Sequence, residues 1–175
     1  MKKDFVKNMC ISACIAALYT ALTLVAAPLS FGPVQIRISE ALTILPAICP
    51  PAISGLTLGC VISNVLGFVM GANPIGIIDA IVGSVATLLA ALLTAYIGKK
   101  AKGGGLYALA PLPPVVINAV IIGAEIAFLT SGKPDFTLFV ISALYIALGQ
   151  AVACYLGGGL LLKGGKKYFE KYLGK

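Results

Sequence analysis

The chain has 175 residues, of which 59% are apolar and only 11% charged, with 20 glycines and a mean hydropathy of +1.03. Soluble domains hold the apolar class near 45–50% with glycine included and carry about 25% charged residues. This is therefore an integral membrane protein, with room for about six spans of about 20 apolar residues and none for a soluble ATPase, a receptor ectodomain or a nucleic-acid module. The formal net charge of +7 resides on lysines at the chain ends and in one loop, which is a membrane-orientation pattern and no nucleic-acid footprint.

Lys2, Lys3 and Lys7 precede an apolar run that imitates a signal peptide, and Ile11-Ser-Ala-Cys14 imitates a lipoprotein cleavage box. The apolar stretch before Cys14 is shorter than the roughly 7–15 residues of a signal core, so an uncleaved first helix over 8–27 is expected. Pro28 to Pro33 ends it. A second apolar stretch, 36–48, stops at Pro50-Pro51 and reaches only about 20 Å against a hydrocarbon core of roughly 30 Å. The Pro28–Gln35 linker is thus expected partly within the membrane profile, shielded by protein. Further helices are expected over 52–70, 75–97, 106–129, disturbed early by Pro111, Pro113 and Pro114, and 136–162. A basic tail over 163–175, with Tyr168, Phe169, Tyr172 and Leu173 interleaved, suits an interfacial helix. The fold expected is all-α: one membrane domain, 1–175, built as a bundle of six transmembrane helices.

With six spans, both ends and the Lys99–Gly105 loop share a side. That side holds eleven lysines (Lys2, Lys3, Lys7, Lys99, Lys100, Lys102, Lys163, Lys166, Lys167, Lys171 and Lys175), and the other holds Arg37 and Lys133. The asymmetry puts both termini in the cytoplasm. Cys10, Cys14, Cys49, Cys60 and Cys154 are an odd, scattered set that makes no disulfide framework and, without histidine, no metal site; they read as small packing residues.

Four charges fall in or near apolar segments away from the basic side: Arg37, Glu40, Asp79 and Glu125. On the expected topology all lie in the outer half, on three different helices. Asn64 lies about two turns below the outer end of its helix, Asn118 precedes Glu125 by seven residues on one face, and Gln150 lies near mid-depth. Ionisable groups at membrane depth are costly and mark function by default. Two readings compete: an Arg37–Glu40 pair with acids snorkelling to the interface, or an outward polar pocket of formal charge about −2 that favours a ligand with a cationic group and several donors. No phosphate loop, zinc motif or nucleophile elbow occurs, and no histidine is present for acid–base work, so neither an enzyme nor a self-energised pump is expected, and no cofactor or metal. Ala13, Ala17 and Ala21, spaced by four, would let another helix approach closely.

These residues carry a resemblance. Ala17-Leu-Tyr-Thr-Ala-Leu22, Phe31-Gly-Pro-Val-Gln-Ile-Arg-Ile-Ser-Glu-Ala-Leu-Thr43, Asp79 with Gly83-Ser-Val-Ala-Thr-Leu-Leu-Ala-Ala91, Pro113-Pro-Val-Val-Ile-Asn118, Gly123-Ala-Glu125, and Gly149-Gln150 before Cys154-Tyr155 make the chain similar to the queuosine-precursor transporter family. The Gly71–Gly76 turn matches the pattern least. The resemblance implies a substrate-binding (S) component of an energy-coupling-factor (ECF) transporter in a bacterial cell membrane. Such a component captures a 7-deazaguanine, such as 7-aminomethyl-7-deazaguanine or queuine, from outside and docks on a transmembrane coupling subunit with two cytoplasmic ATPases. It implies a substrate site drawn from Gln35, Arg37, Glu40, Asn64, Asp79, Asn118, Glu125 and Gln150, and a docking face at Ala13, Ala17 and Ala21. An S component for another vitamin-like solute and an ion-coupled stand-alone carrier are the alternatives.

Overall fold

A computed structural model describes residues 2–32, 35–101 and 103–173, without the side chains of Lys2 and of 166–173. Lys102, Lys175 and the side chains of Lys2, Lys166, Lys167, Lys171, Tyr168, Phe169, Tyr172 and Leu173, which entered the orientation and tail expectations, lie outside the described residues. Among the described residues all regular structure is helical: α1 (Lys2–Val25), α2 (Ala27–Ser30), a 3₁₀ helix (Ile38–Ala47), α3 (Ala52–Val69), α4 (Ile77–Lys100), α5 (Gly104–Leu109), α6 (Leu112–Ser131), α7 (Phe136–Ala151), a π segment (Val152–Gly157) and α8 (Gly158–Leu173). Five stretches of these residues are long and apolar enough to cross a membrane: Lys3–Val25, Ala52–Val69, Ile77–Lys100, Gly104–Ser131 and Phe136–Gly165. Ile38–Ala47 is apolar but shorter.

Helix directions follow from the close approaches. Ser12 meets Pro51 while Thr20 meets Gly59, so α1 and α3 run the same way. Two glycines spaced by four, Gly55 and Gly59, let these backbones touch: a Cβ would fall 2.7 Å from the Ser12 carbonyl oxygen at Gly55 and 2.8 Å from the Tyr19 Cβ at Gly59. The 3₁₀ helix and α4 run together the other way, with Arg37 against Asp79 at one end and Ala47 against Gly98 at the other. At Gly98 any Cβ would collide with the Ala47 backbone.

The second expected helix is thus wound as 3₁₀. Ten residues rise about 15 Å as α-helix and about 20 Å as 3₁₀, so the tighter winding stretches a short segment along the bundle axis. Residues Ser39 to Pro46 are all buried, which places this helix inside the bundle. On one side Leu42 and Leu45 pack with Ile15, Tyr19, Leu56 and Cys60 of α1 and α3. On another, Ile44 packs with Leu106, Ala110 and Leu162. A third cluster, Ala86, Ala119, Ile122 and Ile146, joins α4, α6 and α7.

The structure redraws several expected helix limits. The first helix starts at Lys2, well before residue 8, because the polar N-terminal turns stay helical. The expected fifth helix is divided at Ala110–Pro111, and Pro113 and Pro114 fall in the first turn of α6, where missing amide hydrogens cost nothing. The expected sixth helix is interrupted by the π segment, and α8 carries the helix on through residues expected as a separate tail.

Candidate functional site

Arg37 is the extended N-cap residue of the 3₁₀ helix (φ −90°, ψ 106°), and Glu40 lies in its first turn. A three-residue period puts Arg37, Glu40 and Thr43 in one row. The two charges do not pair with each other. Arg37 Nη2 donates to Asp79 Oδ2 at 2.8 Å, its Nε donates to the Ser30 carbonyl at 3.3 Å, and its guanidinium stands 5.3 Å from the centre of the Phe31 ring. The extended backbone at Arg37 aims the side chain across to the first turn of α4, where Asp79 is fully buried. This corrects the pairing of Arg37 with Glu40 weighed from the sequence.

Glu40 is held by neutral donors. Tyr19 Oη donates to Oε1 at 2.5 Å and Asn118 Nδ2 to Oε2 at 3.5 Å. Thr43 Oγ1 and Cys154 Sγ donate to the Glu40 carbonyl, at 2.6 and 3.4 Å. Asn73, in the turn between α3 and α4, donates to Asp79 Oδ2 at 2.9 Å and accepts the Ile75 amide at 3.1 Å. Asn64 Nδ2 donates to the Asp79 carbonyl at 2.9 Å. Asn64 therefore braces the start of α4, and the turn least matched by the family pattern is tied into the ion pair.

A small, partly open polar cavity lies beside this network, lined by Gln35, Arg37, Glu40, Thr87, Asn118 and Gln150 and by Gly83, Ile122 and Ile146. The enclosed space is about 10 Å³, roughly what one water needs, so a larger ligand enters only as the wall moves apart. Four helical elements and the Gln35 loop supply the wall. Gln35 carries a positive φ of 45°, strain of the kind that gathers at ligand sites. Gly83 leaves no room for a side chain behind the wall: a Cβ would stand 2.8 Å from Asp79 Oδ1 and 3.1 Å from Asn64 Nδ2.

Of the eight expected site residues, Gln35, Arg37, Glu40, Asn118 and Gln150 line the cavity together. Asn64 and Asp79 stand behind it as supports. Glu125 is buried on α6 outside the lining. The lining therefore presents one base and one acid, in place of the surplus of acids expected. Ala13, Ala17 and Ala21 form an exposed row on α1, opposite the face bearing Ile15, Ala16 and Tyr19 that packs inward. The sequence reading missed Thr87, Tyr19 and Asn73. Asp79, Gly83 and Thr87 recur every four residues, a face that spacing alone could have marked. Tyr19 stood inside a motif quoted for the resemblance without being given a role.

The architecture is that of a polar chamber among membrane helices, with no strand among the described residues. Comparison with known proteins agrees with this. The description of QueT, a transporter family, matches residues 9–167. The queuosine precursor transporter QueT of Lactococcus lactis subsp. cremoris (strain MG1363) is 36% identical over 91 residues, covering 51% of this chain and 50% of that relative. The chain thus matches about half the length of the curated relative. No solved structure gives a significant match. With a family match running through nearly every helix and five stretches fit to cross a membrane, this multi-pass protein of the bacterial cell membrane belongs to the QueT transporter family.

Proposed function

We propose that the chain is the membrane-embedded S component of an ATP-driven ECF-type transporter and captures a queuosine precursor, a 7-deazaguanine, from outside. The observation that carries this reading is the small cavity in which a buried carboxylate, Glu40, and a buried guanidinium, Arg37, are joined by three amide side chains. A deazaguanine presents adjacent N–H donors on one edge, which suit a carboxylate, and an exocyclic oxygen, which accepts from Arg, Asn or Gln. Ile122 and Ile146 offer apolar walls to its ring faces.

In this reading the 3₁₀ helix is the sixth crossing, completed in length by the extended residues before it. Both termini face the cytoplasm, as the lysine asymmetry requires. The cavity, near the Arg37–Asp79 end, then opens outward, and the apolar clusters around Leu45 and Ile44 close the cytoplasmic side. The chain contains no phosphate loop, so ATP hydrolysis belongs to partner subunits. The exposed Ala13–Ala17–Ala21 row is the surface for the coupling subunit, since small side chains admit a close helix.

Uptake tests the proposal. The chain expressed with a coupling subunit and its ATPases accumulates labelled precursor, and the chain alone binds without accumulating. Ala17→Phe abolishes uptake and leaves binding intact. Concentrative uptake by the isolated chain driven by an ion gradient contradicts the proposal.

A further inference from the structure

Glu125 lies three residues beyond Ile122 and seven beyond Asn118 on α6, and both of those line the cavity. At 3.6 residues per turn the three share one face, and Glu125 lies about 4.5 Å farther along the axis than Ile122. It is 8% exposed, yet neither carboxylate oxygen has a hydrogen-bond partner. The other two buried acids each have partners: Tyr19 and Asn118 hold Glu40, and Arg37 and Asn73 hold Asp79 through Oδ2, only its Oδ1 being left without one. Arg37, the one buried cation among the described residues, is committed to Asp79. A buried carboxylate without a partner is costly, and a purely structural acid would have been given donors.

We propose that Glu125 receives a primary or secondary ammonium group carried by the ligand, so that the protein selects amine-bearing 7-deazaguanines over neutral ones. The inference rests on the proposed function: the cavity holds the flat base, and Glu125, one turn beyond the lining, meets its charged substituent. The contact is a charge-assisted hydrogen bond in a water-poor setting, and ligand binding supplies the missing donor.

Calorimetry with 7-aminomethyl-7-deazaguanine and 7-cyano-7-deazaguanine tests it on the full chain and on Glu125→Gln and Glu125→Asp. The parent binds the aminomethyl base more tightly. Glu125→Gln weakens the aminomethyl base about tenfold or more and leaves the cyano base within about twofold. Glu125→Asp keeps part of the preference, and a melting curve of each ligand-free variant verifies folding. Equal losses for both bases, or no loss for either, overturn the amine assignment while the deazaguanine reading stands. Cyano-base binding that needs Na⁺ or K⁺ and loses that need in Glu125→Gln assigns the site to an inorganic cation and also overturns it. A parent that binds neither base refutes the proposed function, and this inference with it.

Discussion

Replacing Glu40 with glutamine changes one oxygen to an amide nitrogen at nearly constant volume. The short bond from Tyr19 Oη at 2.5 Å can be kept by the remaining amide oxygen. The new NH₂ then faces Asn118 Nδ2, which reaches Oε2 only at 3.5 Å, so little is lost on that side. Turning one charge-assisted bond into a neutral one costs the fold about 1 kcal/mol. The ligand loses more. A carboxylate accepting two base N–H groups makes two charge-assisted bonds of about 1.5–3 kcal/mol each, and the amide abolishes one and presents a donor to a donor. A loss of about 3 kcal/mol in binding is expected, more than a hundredfold in Kd. Isothermal calorimetry with a 7-deazaguanine, paired with thermal melting of the ligand-free protein, separates the two effects. A Glu40→Gln protein that binds within about threefold of the parent would refute the assignment of Glu40 to the ligand.

Arg37→Met leaves the Asp79 carboxylate buried without its cation and is expected to destabilise the fold by about 3–5 kcal/mol, read as a lowered midpoint in denaturant; Asp79→Asn, which keeps an acceptor, costs less. Gly83→Ala brings a methyl group to 2.8 Å from Asp79 Oδ1, behind the cavity wall, and shifts that support, so affinity should fall about tenfold, while Gly105→Ala, which meets open space, leaves it unchanged in the same titration. In a variant whose native cysteines have been replaced, a cysteine at Ser131 reacts with an impermeant thiol reagent in intact cells and one at Gly103 does not; equal labelling would overturn the orientation.

The polar centre was legible because charge is scarce in this chain. Arg37, Glu40, Asp79 and Glu125 stand out in apolar surroundings, and alternating helix directions bring them to one end. Proline pairs and glycine turns marked most helix ends for the same local reason. What could not be read was partnership across distance. Arg37 and Asp79 are separated by 42 positions, and only the extended backbone at Arg37 decides that its side chain reaches α4 and not Glu40. The 3₁₀ winding of Ile38–Ala47 and the π segment after Gln150 are imposed by packing, since local propensity favours ordinary helix in both. Tyr19 and Thr87 escaped notice because their hydroxyls are common in apolar helices, where threonine usually bonds its own backbone, as Thr57 does. Gln35, Asn118 and Gln150 were found, but their meeting at one cavity depends on the path of the 3₁₀ helix between α1, α4 and α6.

The central claim is that the cavity beside Glu40 holds a 7-deazaguanine. Native mass spectrometry of the purified protein, released from detergent with and without added 7-aminomethyl-7-deazaguanine, addresses it most directly. The account predicts one bound base per chain, retained by the parent and absent from Glu40→Gln prepared identically. Retention of the base by both proteins, or by neither, would contradict it.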